Sequence, residues 1–282
     1  MQTRAGLGIT LALIGGLMIS IDIPIIRLAL SDPWLVMVFR GYGLAIILGL
    51  FLLFGRNLTE TPPNPFDDLF WVEVGILYGV NSALFTFAVF NTSTANLVFI
   101  LAFNPMIAAL VSWWLIGEKP DRVTWIAIFM TIIGVGIIVS DGLQAGTWLG
   151  DLMALATAAV LAYSLVRTRQ SGKDLSLSPA LGGLVSGTFA LPLVFVYSSY
   201  PGNISWLFVN AIIIVPVAGF TLALAPRFIP APQVAMFFLL ETVLAPIWVW
   251  MIFSEIPTNG TLIGGAIVLA AITGHSVWQL KK

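Results

Sequence analysis

The sequence has few charged residues and no cysteine. Only 9% of its 282 residues are charged, whereas 59% are hydrophobic. A soluble domain usually carries about a quarter charged residues, so this chain has too few to cover a surface in water, and lipid is the solvent that tolerates such a surface. The lack of cysteine excludes disulfides, thiol nucleophiles and thiolate metal sites. A net charge of −1 provides no field that would attract nucleic acid.

The motifs of the common enzyme classes are also missing. The sequence contains no GxSxG, no HExxH, no phosphate-binding GxxxxGK[ST] and no dinucleotide GxGxxG. One histidine and no cysteine leave little for metal or nucleophilic catalysis. The sequence therefore predicts no enzyme, no metal site and no cofactor. Without a P-loop, any transport would be driven by an ion gradient or by exchange.

Ten apolar stretches are long enough to cross a bilayer, which takes about 20 residues as a helix. Clusters of turn-forming residues such as Ser31-Asp32-Pro33 and Tyr200-Pro201-Gly202-Asn203 separate them. The predicted fold class is therefore an all-α integral membrane protein with ten transmembrane helices. The stretches are 6–30, 33–55, 69–91, 95–117, 123–140, 148–169, 179–199, 204–225, 231–254 and 260–280.

Lysine and arginine fall on one side of this arrangement. If the N-terminus lies in the cytoplasm, the opposite loops hold no lysine or arginine at all. Positive loop residues mark the cytoplasmic side, so the pattern predicts a multi-pass protein of the cell (inner) membrane with both termini in the cytoplasm. The cytoplasmic loops and tails would hold Arg4, Arg56, Lys119, Arg122, Arg167, Arg169, Lys173, Arg227, Lys281 and Lys282.

The two halves of the sequence resemble each other. At an offset of 137 positions, Glu118-x-Pro120-x3-Thr124 aligns with Glu255-x-Pro257-x3-Thr261. The openings of the halves align at an offset of 142, where Leu7-Gly8 matches Leu149-Gly150. Five helices are an odd number, so the second half must enter the membrane in the opposite direction. The sequence predicts two inverted repeats, 1–141 and 142–282, and such repeats are typical of transporters with a site near the midplane.

The helix-end runs Trp113-Trp114-Leu115-Ile116-Gly117-Glu118-Lys119-Pro120 and Trp250-Met251-Ile252-Phe253-Ser254-Glu255-Ile256-Pro257 carry a family resemblance. Each is similar to the apolar run followed by Gly-Glu in proteins with EamA domains, of the drug/metabolite transporter superfamily. Serine replaces the usual glycine in the second copy. The resemblance covers nearly the whole chain. It implies ten helices, cytoplasmic termini, and export or exchange of small metabolites by alternating access.

Glu241 is the leading candidate site residue. It lies ten residues into the ninth stretch, ~15 Å from its cytoplasmic end at the rise of an α-helix, which is close to mid-bilayer. Its repeat counterpart is Asn104, at similar depth in the fourth stretch. Ionisable groups inside a membrane are costly and mark functional sites. The alternative is a protonated glutamate that is hydrogen-bonded to a neighbouring helix.

Asp22 and Arg40 form a second candidate site. Both lie ~10 Å from the far side of the membrane, one in each of the first two helices, so they are expected to form a buried ion pair. The pair either orients the helical hairpin, or Arg40 holds a substrate carboxylate or the pair gates the outer side. Pro24 is expected to disturb the first helix, and Arg27 is expected to extend its side chain to the interface.

Five further positions are candidates for lining a cavity. Polar or aromatic side chains in the middle of apolar helices either contact a substrate or pack between helices, and the sequence leaves both readings open. These positions are Tyr78, Asn81, Ser82, Tyr163 and Trp248.

Three functions are compatible with these features. The favoured one is a secondary transporter of small amphipathic metabolites, with amino acids or related zwitterions as the leading class, because Glu241 and Arg40 offer opposite charges. The second is a proton-coupled exporter of apolar organic cations. The third, of another class, is a non-transporting membrane scaffold or lipid-handling subunit. The expected partners are a small-molecule substrate and the lipid bilayer, with proton or exchange coupling and no nucleic acid; the oligomeric state is left open.

Overall fold

The computed structural model describes residues 2–54, 68–117, 119–173, 175, 177–198, 202–225, 228 and 231–280. These residues form helices and connecting turns, with no strand among them, which confirms the predicted all-α class. The helices are α1 Gln2–Ser20, α2 Asp22–Leu28, α3 Pro33–Phe54, α4 Leu69–Asn91, α5 Thr94–Leu101, α6 Asn104–Ile116, α7 Arg122–Ala145, α8 Trp148–Ser171, α9 Pro179–Tyr197, α10 Ile204–Phe208, α11 Val215–Leu224, α12 Ala231–Phe253 and α13 Asn259–Leu280, with a π-helical segment Val209–Ile214 between α10 and α11.

The helices follow the ten predicted stretches. Eight described stretches, from Gly6–Leu28 to Ile204–Leu222, are long and apolar enough to cross a membrane. The last two predicted stretches contribute the shorter apolar segments Leu240–Phe253 and Asn259–His275 of α12 and α13. The chain is therefore a multi-pass helical membrane protein. Of the two glutamates aligned by the sequence repeat, Glu118 lies outside the described residues.

Three of the stretches are not continuous α-helices. The first breaks at Ile21 between α1 and α2, the fourth breaks at 102–103 between α5 and α6, and the eighth contains the π-helical segment. A proline follows each irregularity within a few residues, namely Pro24, Pro105 and Pro216. Proline lacks an N–H and crowds the preceding turn, so the expectation that Pro24 disturbs the first helix is confirmed. Backbone released in this way is tolerated in a membrane only where protein or a cavity surrounds it.

Hydrogen bonds gather several helix connections at one end of the bundle, called here the distal end. The backbone N–H of Asn203 donates to the carbonyl of Ala29 at 2.6 Å. The hydroxyl of Thr92 donates to Asp151 at 2.5 Å, and Thr258 donates to Asp141. The connections after α2, α4, α7, α9 and α12 therefore lie together. The other end, called proximal, includes the last residue of α3 and the first of α4.

Glycine allows a close contact between α3 and α9. A Cβ atom added to Gly41 would lie 2.5 Å from the carbonyl oxygen of Gly183 and 2.7 Å from the nitrogen of Gly187. No real Cβ approaches backbone atoms this closely, so the two helices touch through their main chains. Small residues at such contacts let helices associate in lipid, where packing replaces the hydrophobic effect.

The variant Gly183→Ala should therefore destabilise the protein by about 1–3 kcal/mol, the usual cost of overpacking. The measurement is thermal unfolding of the purified protein in detergent. Gly49→Ala, in α3, is the matched control because a Cβ there has no atom within 4 Å. Equal melting temperatures for the two variants would contradict the close contact.

Candidate functional site

A buried cluster of three polar residues joins three separate helical segments. Arg40 Nη1 donates to Asp22 Oδ1 at 2.5 Å and to Asn210 Oδ1 at 3.0 Å. The Asn210 amide in turn donates to Asp22 Oδ1 at 2.6 Å. Asp22, Arg40 and Asn210 are 3%, 9% and 2% exposed. The predicted Asp22–Arg40 ion pair is confirmed, and a third residue completes it.

Two irregular segments place this cluster. Asp22 is the first residue of α2, directly after the break at Ile21. Asn210 is the second residue of the π-helical segment, and its carbonyl accepts from the N–H of Val215, five residues on. A π-helical turn changes the direction of the side chains that follow in a helix and often occurs at functional sites. Of the three residues in the cluster, only Arg40 lies within a helix, α3, that has no irregularity next to it.

Arg40 keeps a free edge despite these contacts. Its Nε is buried and has no hydrogen-bond partner among the described residues. The phenyl ring of Phe85, in α4, lies 5.3 Å from the guanidinium carbon and holds the plane of the group by a cation–π contact. A guanidinium binds a carboxylate best through two adjacent N–H groups. The geometry therefore leaves Arg40 able to receive a further acceptor.

Glu241, in α12, is close to this cluster. It is only 8% exposed, and it interacts electrostatically with both Asp22 and Arg40. Within the part of the chain that the structure describes, its carboxylate has no hydrogen bond and no ion pair. The sequence treated Glu241 and the Asp22–Arg40 pair as two candidate sites, whereas the structure places Glu241 near the pair.

Trp248 closes one side of the same region. Its indole N–H donates to the hydroxyl of Ser20 at 3.3 Å, and Ser20 stands immediately before the break in the first span. Trp248 lies seven residues after Glu241, so the two side chains share a face of α12. The predicted candidate Trp248 thus lies beside the site, packed against α1.

Asn81 adds another unsatisfied group. Its Oδ1 is buried without a hydrogen-bond partner among the described residues. Four positions along α4, Phe85 contacts Arg40, and residues four apart share a helix face. Asn81 is therefore one helical turn away from the residue that touches the cluster.

The remaining predicted candidates lie in other contacts. Asn104 donates to the carbonyl of Ala158 in α8 at 2.9 Å, so its side chain joins two helices. The Tyr163 hydroxyl donates to Glu73 at 3.4 Å. Tyr78 packs against the apolar cluster of Trp71, Val74 and Leu175, and Ser82 is half-buried. Asn104 and Tyr163 thus have partners other than Glu241.

The ion pairs of Glu73 and Asp68 lie at the proximal end. Arg167 donates to Glu73 through Nε at 2.8 Å and also through Nη2. Outside the spans, Asp68 caps the start of α4 and accepts from Lys173 at 2.7 Å. This hydrogen bond from Lys173 holds the pKa of Asp68 below its ordinary value.

Sequence reasoning missed Asn210 and Ser20. Asn210 is the one amide in the eighth predicted stretch, and this is the signal that could have drawn attention to it. Its meeting with Arg40 depends on the π-helical turn, which has no recognised sequence pattern.

The fold and the buried polar cluster define a multi-pass membrane protein with a polar site inside the bundle. Residues 6–140 match the model of the EamA-like transporter family. This match covers just under half of the chain, and it confirms the family resemblance for that segment and indicates a membrane transporter of the drug/metabolite type.

Comparison with solved structures shows the same fold. A crystal structure of a protein aligns with a TM-score of 0.64 over 98% of this chain and 96% of its own, at 16% sequence identity. No curated protein matches the sequence.

The buried pair gives a stability prediction. Asp22→Asn leaves the guanidinium of Arg40 without its counter-charge and should cost about 3–5 kcal/mol, as for other buried pairs that lose one partner. The double variant Asp22→Asn/Arg40→Gln removes both charges and should recover most of this loss. Thermal unfolding in detergent measures both. A double variant less stable than the single one would show that the charges do not act as a pair.

Proposed function

We propose that the protein is a secondary transporter that moves small amphipathic metabolites across the cell membrane by alternating access, as an exporter or exchanger. Zwitterions such as amino acids are the favoured substrates. The observation that supports this is a juxtaposition in one buried region: Arg40 keeps an unpartnered donor, and the nearby Glu241 carboxylate has no partner among the described residues.

These two groups match the two ends of a zwitterion. A substrate carboxylate fits the free edge of Arg40, because Asp22 and Asn210 occupy only its Nη1. A substrate ammonium group fits Glu241 and the unpartnered Oδ1 of Asn81. Leaving a buried polar group unsatisfied costs about 1–3 kcal/mol. A ligand that completes these contacts recovers that energy, whereas one lacking either charge does not.

The helix contacts support two repeats, 1–141 and 142–282, that are related by a pseudo-twofold axis. Exchanging the halves turns the contact of α1 with α12 into that of α8 with α6, and both occur. It likewise turns the contact of α4 with α8 into that of α11 with α1, which also occurs. The pairs α3–α9 and α7–α13 exchange with themselves. Inverted repeats of this kind provide the two related states that alternating access needs.

A second candidate function is proton-coupled export of apolar organic cations. The charges of Asp22 and Arg40 balance each other, so Glu241 contributes an unbalanced carboxylate. A proton and an organic cation would bind to this carboxylate alternately, and each would neutralise its charge. For either function we propose an orientation with both termini in the cytoplasm.

The variant Glu241→Ala should lower the uptake of a transported zwitterion into proteoliposomes about tenfold or more. It removes the counter-charge of the ammonium group, and a hydrogen bond to a charged group contributes about 1.5–3 kcal/mol. Arg40→Lys should have a similar effect, because lysine lacks the paired N–H groups. The substrate is first found by its stabilisation of the protein in a thermal-shift screen of amino acids, amines and organic acids.

Lys173→Gln is the matched control, because Lys173 is largely exposed at 54% of its side chain and pairs with Asp68 away from the site. Uptake unchanged in Glu241→Ala would remove this residue from the site. Glu241→Gln separates the two candidates: loss of pH-driven export with retained exchange supports proton coupling, and loss of zwitterion binding supports the first function.

A further inference from the structure

An ion pair at the distal end joins two of the helices that carry the site. Arg27, in the last turn of α2, donates through Nη1 to Glu255, which follows α12. The expectation that Arg27 extends to the interface stays a prediction, and the structure adds a partner for its guanidinium at another helix end. The sequence could not show this, because Arg27 and Glu255 lie 228 positions apart.

The same two side chains also hold the junction between α4 and α5. Arg27 Nη2 donates to the carbonyl of Thr92 at 3.0 Å. The backbone N–H of Thr94, at the start of α5, donates to Glu255 Oε1 at 3.1 Å. One ion pair thus ties together the distal ends of the first, third, fourth and ninth spans.

This pair lies between the site and the distal surface. Asp22 is five residues before Arg27 in α2, ~7 Å along the helix, and Glu241 precedes Glu255 along α12. Beneath the pair, α12 packs against α5 and α2. Helix α6, which forms the proximal half of the same span as α5, packs instead mainly against α8 and α7. The fourth span therefore approaches α12 mainly through its distal half, so the helices around the site lie closest together at the distal end.

We propose that Arg27 and Glu255 are the distal gate residues of the transport cycle, a role that rests on the proposed alternating access. The pair holds the distal end closed in this structure and separates when the site opens to that side. Both side chains are partly exposed, so water replaces their contacts when they part, and the energetic cost stays modest. The fully buried Asp22–Arg40 pair has no such replacement and stays joined.

The sequence repeat supplies a counterpart. The offset of 142 pairs Arg27 with Arg169, and the offset of 137 pairs Glu255 with Glu118. Glu118 and the side chain of Arg169 lie outside the described residues. The proposed distal gate consists of Arg27 and Glu255 alone, and the counterpart pair serves as a control.

The experiment uses the absence of cysteine from the chain. A single cysteine is introduced by Ser82→Cys, in the middle of α4, and is labelled with a membrane-impermeant thiol reagent added from the distal side. A separate Asn203→Cys variant, exposed at the distal end, identifies that side. Arg27→Gln and Glu255→Gln should each raise the labelling rate of Ser82→Cys about tenfold, because the population open to the distal side increases.

The charge exchange Arg27→Glu/Glu255→Arg should return labelling to the slow rate, since it rebuilds the ion pair in reverse. Lys173→Gln, which breaks an ion pair at the proximal end, and the counterpart variants Glu118→Gln and Arg169→Gln should not raise distal labelling. Slow labelling in both single gate variants, or equal acceleration in all variants, would overturn the proposal.

Labelling needs no substrate, so its outcome is independent of the proposed substrate class. Accelerated labelling without zwitterion uptake would retain the gate and reject the substrate proposal. Normal zwitterion uptake with unchanged labelling would retain the substrate proposal and reject the gate. Melting temperatures of the variants separate gate opening from unfolding, because opening alone leaves the cooperative thermal transition in place.

Discussion

The structure depends on balancing the charge of the Arg40 guanidinium inside an apolar bundle. An isolated charge in hydrocarbon is costly, so Asp22 has to meet Arg40 from another helix. The break at Ile21 and the π-helical segment around Asn210 serve this purpose, because both bring a polar side chain to Nη1 of Arg40. The polar cluster therefore depends on the irregularities in the first and eighth spans.

The high cost of an unpaired polar group in an apolar bundle makes each buried group without a partner a candidate for binding a ligand. Buried polar groups nearly always have a hydrogen-bond partner, and Asp22 and Asn210 follow this rule within the cluster. Arg40 Nε and Asn81 Oδ1 do not, and Glu241 has no partner among the residues described. Hydroxyl groups of Ser31, Thr94 and Ser178 at the ends of other helices also lack a partner among the described residues. Arg40 and Glu241 differ from these hydroxyls because they are ionisable, and an ionisable group inside a membrane is costly and marks a candidate functional site.

Much of the fold and about half of the site could be predicted from the sequence. Hydropathy sets the spans, and equal depth in adjacent helices was enough to pair Asp22 with Arg40. Depth did not reveal the partner of Asn104, because depth says nothing about which way a side chain points, and the amide donates to the carbonyl of Ala158 in α8. Asn210 was missed because a π-helical turn shifts the register of a span without changing its composition. Contacts between distant helix ends, such as Arg27 with Glu255, follow only from the complete packing.

The site and the distal end share their supporting helices, and this gives a physical route for coupling. Helix α2 begins at Asp22 and carries Arg27 in its last turn, and the chain from Glu241 through α12 leads to Glu255. A ligand held between Arg40 and Glu241 would pull on α12 relative to α3 and, through the Asp22–Arg40 pair, relative to α2. The distal ion pair joins the ends of α2 and α12. A ligand changes a conformational equilibrium only by the difference in its affinity for the two states. Because α2 is a single short helix after a break, it can tilt without bending α1. A small movement at the site would therefore reach Arg27 directly through the rigid helix α2, without a longer chain of contacts.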